Sequence, residues 1–134
     1  MKIAISSMGT DLDAQVDPRF GRCAYFIIVN TNDMSFEAFD NESIASGGGA
    51  GIESARLVAS KGAKVTLSGN VGPNAVRALS AAGIEIYLAN TGTVREVIEK
   101  CQRGYLALVQ LPNVPDHRGS VGRTANGRGM GMGR

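Results

Sequence analysis

An α/β fold with a mixed sheet is the architecture this chain predicts, on two observations. Between residues 46 and 101, helical and strand-like segments alternate through short connectors, the pattern of β-α units with a parallel sheet. Ahead of them, two β-rich runs are separated by only three residues, which implies an antiparallel hairpin in the same sheet.

The elements follow in order. Lys2–Ser7 is a short apolar strand, and Met8–Asp17 a polar loop with three aspartates. Ala24–Asn30 holds the run Tyr25, Phe26, Ile27, Ile28, Val29. After a turn at Thr31-Asn32-Asp33, Met34–Asp40 alternates like a strand with one wet face. Ser46–Gly51 opens a helix running to about Ser60, with Ile52, Ala55, Val58 and Ala59 on its apolar side and Lys61-Gly62 at its end. Ala63–Ser68 reads as a buried strand. Pro73 suits the first position of a helix that reaches about Ala82, because a proline there loses no intrahelical bond. Ile84–Leu88 is the next strand. Thr93-Val94-Arg95-Glu96 has the form of a capping box, and Val94, Val97, Ile98 and Cys101 follow at helical spacing. Tyr105–Leu111 is a last apolar run. The expected organisation is one domain over 1–111 and a disordered Gly/Arg/Met-rich tail over 112–134.

At 134 residues, with 43% apolar and 19% charged, the chain is long enough for a core without disulfides or structural metal. Its net charge of +2 is uneven. Residues 1–111 carry ten Lys/Arg against eleven Asp/Glu, whereas 112–134 carry four Arg against one Asp. The body therefore lacks the basic field of a nucleic-acid binder, and 5% aromatics without tryptophan disfavour base stacking. Met1–Ser6 is too short for a signal-peptide core and no run reaches membrane-spanning length, so a cytoplasmic protein with free thiols and no membrane partner is expected.

The candidate site begins with Asp17-Pro18-Arg19-Phe20-Gly21-Arg22-Cys23, which places two guanidiniums and a thiol in one loop. An arginine fork suits an anion with several acceptor atoms, and the neighbouring cations would favour a Cys23 thiolate. Three glycine-bearing loops precede helix starts: Ser46–Gly51, Gly69–Gly72 and Asn90–Thr93. Helix N-termini offer unbonded N–H groups and partial positive charge to an anion. The expected cofactor-binding residues are Arg19, Phe20, Gly21, Arg22, Cys23, Gly47, Gly48, Gly49, Gly51, Asn70, Gly72 and Thr93, with Cys23 as the metal contact.

Sharper motifs are missing. Gly47–Gly51 does not complete the dinucleotide fingerprint, and no glycine precedes Lys-Ser or Lys-Thr. Cys23 and Cys101 stand 78 positions apart, and the one histidine is His117, so no standard zinc or four-cysteine iron–sulfur site can be assembled. Cys101 reads as a core residue. Asp11, Asp13 and Asp17 read as a solvated loop, with Asp17 capping the turn at Pro18. No nucleophile–base pair is present outside the tail, so no enzymatic turnover is expected.

Taken together and in order, VDPRFGRC, NES before GGGAG, SGNVGPNA and Ala89–Val97 resemble the dinitrogenase iron–molybdenum cofactor biosynthesis family over about residues 1–110. The resemblance implies a three-layer α/β/α fold of the ribonuclease-H-like type with a five-stranded mixed sheet. It implies a carrier for a preformed anionic metal–sulfur cluster of iron–molybdenum or molybdenum–copper type, exchanged with a donor or acceptor protein. Nitrogenase-linked members tend to have histidine where this chain has Arg19, which can pair with sulfide or oxyanion but cannot ligate iron. The rival expectations are a sensor of small anions or nucleotides, or a partner-binding module, on the same fold.

Overall fold

In a computed structural model, residues 1–41 and 49–109 are described. They form strands β1 (Lys2–Ser7), β2 (Tyr25–Asn30), β3 (Ser35–Asp40), β4 (Ala63–Ser68) and β5 (Glu85–Leu88), and helices α1 (Ala50–Ser60), α2 (Pro73–Ala81) and α3 (Val94–Gln102). The five-stranded sheet has the order β3-β2-β1-β4-β5. β4 is parallel to both β1 and β5, and β2 is antiparallel to both β1 and β3, so the sheet is mixed as expected.

Strand alternation decides the layers. Ala4, Phe26, Ile28 and Ile86 point to one face, where they meet Ala55 and Val58 of α1 and Ala75, Val76 and Leu79 of α2. Ile3, Ile5, Ile27, Val29 and Leu67 point to the other, against Val94, Val97 and Ile98 of α3 and against Leu12 and Val16 of the β1–β2 loop. The result is helix, sheet, helix in three layers, with the central strands buried on both faces. Each enclosed Ile or Leu contributes about 1.5–3 kcal/mol by leaving water.

Element boundaries shift where local geometry intervenes. β3 starts at Ser35 rather than Met34, because Met34 takes a left-handed φ of 62° to close the hairpin, while Asp33 accepts from the Ser35 N–H and hydroxyl. β5 starts one residue late, since the Ile84 N–H is spent on the Leu79 carbonyl at 2.9 Å. Tyr105–Leu111 does not continue the sheet as a full strand. Its described part forms a short antiparallel bridge, with Leu108 opposite Tyr87, that covers the outer edge of β5. The Leu88 N–H donates to Ala107 and the Val109 N–H to Ile86. The predicted glycine-rich entry to α1, including Gly47 and Gly48, and the predicted tail lie outside the described residues.

Candidate functional site

All three helices start at one edge of the sheet, where β1, β3, β4 and β5 end and β2 begins. Open α/β sheets bind ligands at such an edge. Here the β1–β2 loop is laid across it and anchored at every crossing. The Ser6 hydroxyl donates to the Asp17 carbonyl (2.6 Å) and bonds the Ser68 hydroxyl (2.8 Å), joining β1, β4 and the loop. Phe20 N–H donates to the Asn70 carbonyl (3.1 Å), and Asn70 N–H returns a bond to Pro18. Val16 N–H donates to Gly92 (2.9 Å).

This lashing treats the three helix starts differently. At α3, Val94 N–H donates to Ala14 and Arg95 N–H to Leu12. Thr93 and Glu96 complete the reciprocal capping box, Glu96 N–H to Thr93 Oγ1 at 3.1 Å and Thr93 N–H to Glu96 Oε1 at 2.8 Å. The orphan donors of α3 are thus consumed, and Thr93, one of the residues expected at the ligand, caps this helix. At α1 and α2 the caps are Gly49 and Gly72, with no side-chain cap at either among the described residues. Pro73 has no N–H, and among the described residues no acceptor meets the N–H groups of Asn74 and Ala75. The described backbone donors left open at this edge are therefore at the start of α2. A cavity of about 360 Å³ opens there, lined by Gly69, Asn70, Val71, Gly72, Leu88 and Val109.

The loop's charged and sulfur groups depart from expectation. Arg19 is not a free fork. Its Nε and Nη2 donate to Oδ1 (3.0 Å) and Oδ2 (2.9 Å) of Asp17, and its own N–H donates to Oδ1. Those bonds hold the Asp17 carboxyl below its usual range against the opposing effect of burial. Arg22 is exposed and enters no ion pair among the described residues.

Cys23 is fully buried, and its Sγ donates to the Phe20 carbonyl (3.3 Å). Burial, reinforced by the Asp17 charge, pushes its thiol up to about 12. The expected thiolate is therefore not favoured: the two arginine charges point outward while the sulfur sits in the core. Phe20 is likewise a core residue, its ring 5.2 Å from that of Phe26. Gly21 is a contact glycine, since a Cβ there would lie 3.1 Å from the Gly51 nitrogen. It lets the loop approach the first turn of α1.

Buried polar residues that sequence reasoning passed over hold this loop. Asn41 Nδ2 donates to the carbonyls of Cys23 (2.9 Å) and Gly21 (3.2 Å), and Asn41 Oδ1 accepts from the Ser54 hydroxyl (3.1 Å). Asn41 falls in the NES segment, which is the signal that could have marked it; Ser6 and Ser68 carry no sequence signal. Asp11 and Asp13 stay on the surface, with Asp13 paired to Arg95 at 3.3 Å. Among the described residues no group of three or more His, Cys, Asp or Glu is placed to hold a metal ion. No described helix is long and apolar enough to cross a membrane.

Fold and site together define a three-layer α/β domain that presents backbone donors and guanidinium charge along one sheet edge. The chain belongs to the dinitrogenase iron–molybdenum cofactor family, whose model matches residues 1–104. It is similar to the orange protein of Desulfovibrio gigas, solved in its apo form, at 41% identity and a TM-score of 0.78, covering 81% of this chain and 92% of that one. A Thermotoga protein solved by NMR and provisionally described as a NifB protein is 36% identical with a TM-score of 0.72, covering 83% and 98%. An uncharacterised protein of Methanocaldococcus jannaschii is 31% identical over 110 residues, 79% of this chain and 93% of the relative.

Proposed function

We propose that this chain is a non-enzymatic carrier of a preformed anionic metal–sulfur cluster, of molybdenum–iron or molybdenum–copper sulfide type. One observation carries the reading: the start of α2, with no side-chain cap among the described residues, stands beside a cavity of about 360 Å³, at the sheet edge that also bears Arg19 and Arg22. Backbone N–H groups and guanidiniums recognise the sulfide or oxo surface of a cluster by charge-assisted hydrogen bonds. The donor set fits a cargo that brings its own coordination shell. The described residues supply no clustered metal ligands, and Cys23 is too buried and too weakly acidic to act as one.

In this reading Gly49, Gly51, Asn70 and Gly72 contribute backbone, Arg22 contributes charge, and Arg19 is held in place by Asp17. Gly47 and Gly48, outside the described residues, belong to the same proposed set. The cargo passes between a donor and an acceptor protein without turnover, in the cytoplasm. Family membership and the likeness to the orange protein support the assignment.

The test is anaerobic incubation with tetrathiomolybdate and copper, followed by gel filtration, a visible spectrum and metal analysis. Stoichiometric charge-transfer bands that travel with the protein, and weaken in Arg22→Ala, are expected. A protein that elutes colourless from every mixture overturns the reading.

A further inference from the structure

The cavity at the start of α2 has no charged side chain among its described lining residues. Asn70 supplies the one polar side chain, and Gly69 and Gly72 supply backbone. The rest of the wall is aliphatic: Val71, Leu88 and Val109. These three come from separate segments. Val71 and Val109 pack against the apolar core beneath α1 and α2. Val109 is brought there by the pairing of its segment along β5, its N–H donating to the Ile86 carbonyl at 2.8 Å and the Leu88 N–H to the Ala107 carbonyl at 2.9 Å. Leu88, at the end of β5, stays 39% exposed. Together they set an open apolar surface beside the site's backbone donors, the kind of surface that marks a contact with something other than water.

Donors and wall make different demands on one ligand. The free N–H groups of Asn74 and Ala75 favour negative charge. The wall returns no hydrogen bond to that charge. An oxoanion would turn strongly hydrated oxygens toward Val71, Leu88 and Val109 and lose their water without replacement, the penalty of any unpaired buried polar group. A sulfide shell spreads the same charge over larger, polarisable atoms that accept hydrogen bonds weakly and gain dispersion contact with methyl groups.

We infer that Val71, Leu88 and Val109 are the specificity-determining residues of this cavity, selecting a sulfide-shelled anion against its oxo counterpart. The inference rests on the carrier reading and adds which side chains make the choice.

Its test titrates tetrathiomolybdate and molybdate separately, under anaerobic conditions, into the full-length parent and into the triple variant Val71→Thr, Leu88→Asn, Val109→Thr. Those replacements nearly keep the volume of the wall and make it polar. The parent is expected to bind tetrathiomolybdate at least about tenfold more tightly than molybdate, the effect of leaving one or more oxygens unpaired. The triple variant is expected to lose most of that ratio, through weaker binding of tetrathiomolybdate. Leu88→Asn alone, at the exposed end of β5, is expected to lower the ratio in the same direction, and it keeps the proposal falsifiable if the triple variant does not fold. A parent that binds the two anions equally, or molybdate more tightly, overturns the role of the wall and leaves the carrier reading standing. A ratio that no folded variant lowers also overturns it, because the donors alone would then make the choice. A parent that binds neither anion removes the carrier reading and this inference with it.

Discussion

Arg19 and Asp17 form a two-pronged ion pair in which the members have opposite exposures: the carboxylate side chain is 2% exposed and the guanidinium 61%. The pair spans a turn of two residues, closed a third time by the Arg19 N–H on Oδ1. A buried charge is tolerated only when such bonds replace its water. Asp17 thus ties the cationic loop to the sheet edge, and Arg19 is oriented before any ligand arrives.

Asp17 makes the fold acid-sensitive. Its folded pKa is lowered, so its contribution is present above the unfolded carboxylate value and is lost as pH falls through the folded one. Asp17→Asn should be less stable than the parent at pH 7, with the gap shrinking below about pH 4. Urea titrations at pH 7 and pH 3 check this. A gap that stays constant would mean that the carboxylate's charge is not what matters.

Gly69 is required by proximity. A Cβ there would come within 2.7 Å of Pro18 Cβ and would also collide with the Asn90 amide oxygen. Pro18 is a rigid ring on an anchored loop and cannot yield as the end of a flexible side chain would. Gly69→Ala should cost about 1–3 kcal/mol in unfolding free energy, as overpacked sites do, and should loosen the Asn70–Phe20 bridge beside the cavity.

The two thiols should differ in reactivity. Cys23 is fully buried with its thiol near 12, whereas Cys101 is half-buried on α3. A thiol reagent at pH 8 should modify Cys101 slowly in the native protein and Cys23 only after unfolding. Rapid labelling of Cys23 in the folded state would place the sulfur nearer the surface than this packing allows.

Thr93 separates capping from ligand binding. Thr93→Ala removes the capping box of α3 and should lower stability by about 1 kcal/mol. The same variant should retain tetrathiomolybdate as the parent does, because the donors of that helix start are already taken by Ala14 and Leu12. A loss of binding larger than the loss of stability would return Thr93 to the site.

What the chain determined alone was local. Helical period in Ala50–Ser60 and Val94–Gln102, proline at the first position of α2, the Thr93–Glu96 box and the close hairpin are decided within a few residues, so they could be read directly, and with them the α/β class. The ordered motifs carried the family. Three matters waited for the tertiary structure. Whether a helix start keeps its N–H groups depends on a loop some 80 residues earlier, and Leu12 and Ala14 close α3 while α1 and α2 have no side-chain cap among the described residues. Whether Cys23 is a thiolate depends on which way the loop turns its two faces, and the turn at Phe20–Arg22 sends the sulfur inward and Arg22 outward. Whether Arg19 is free depends on Asp17 being buried beside it. Adjacency in sequence brings charges near one another, but burial and hydrogen bonding decide which of them remain available, and both arise from contacts between segments distant along the chain.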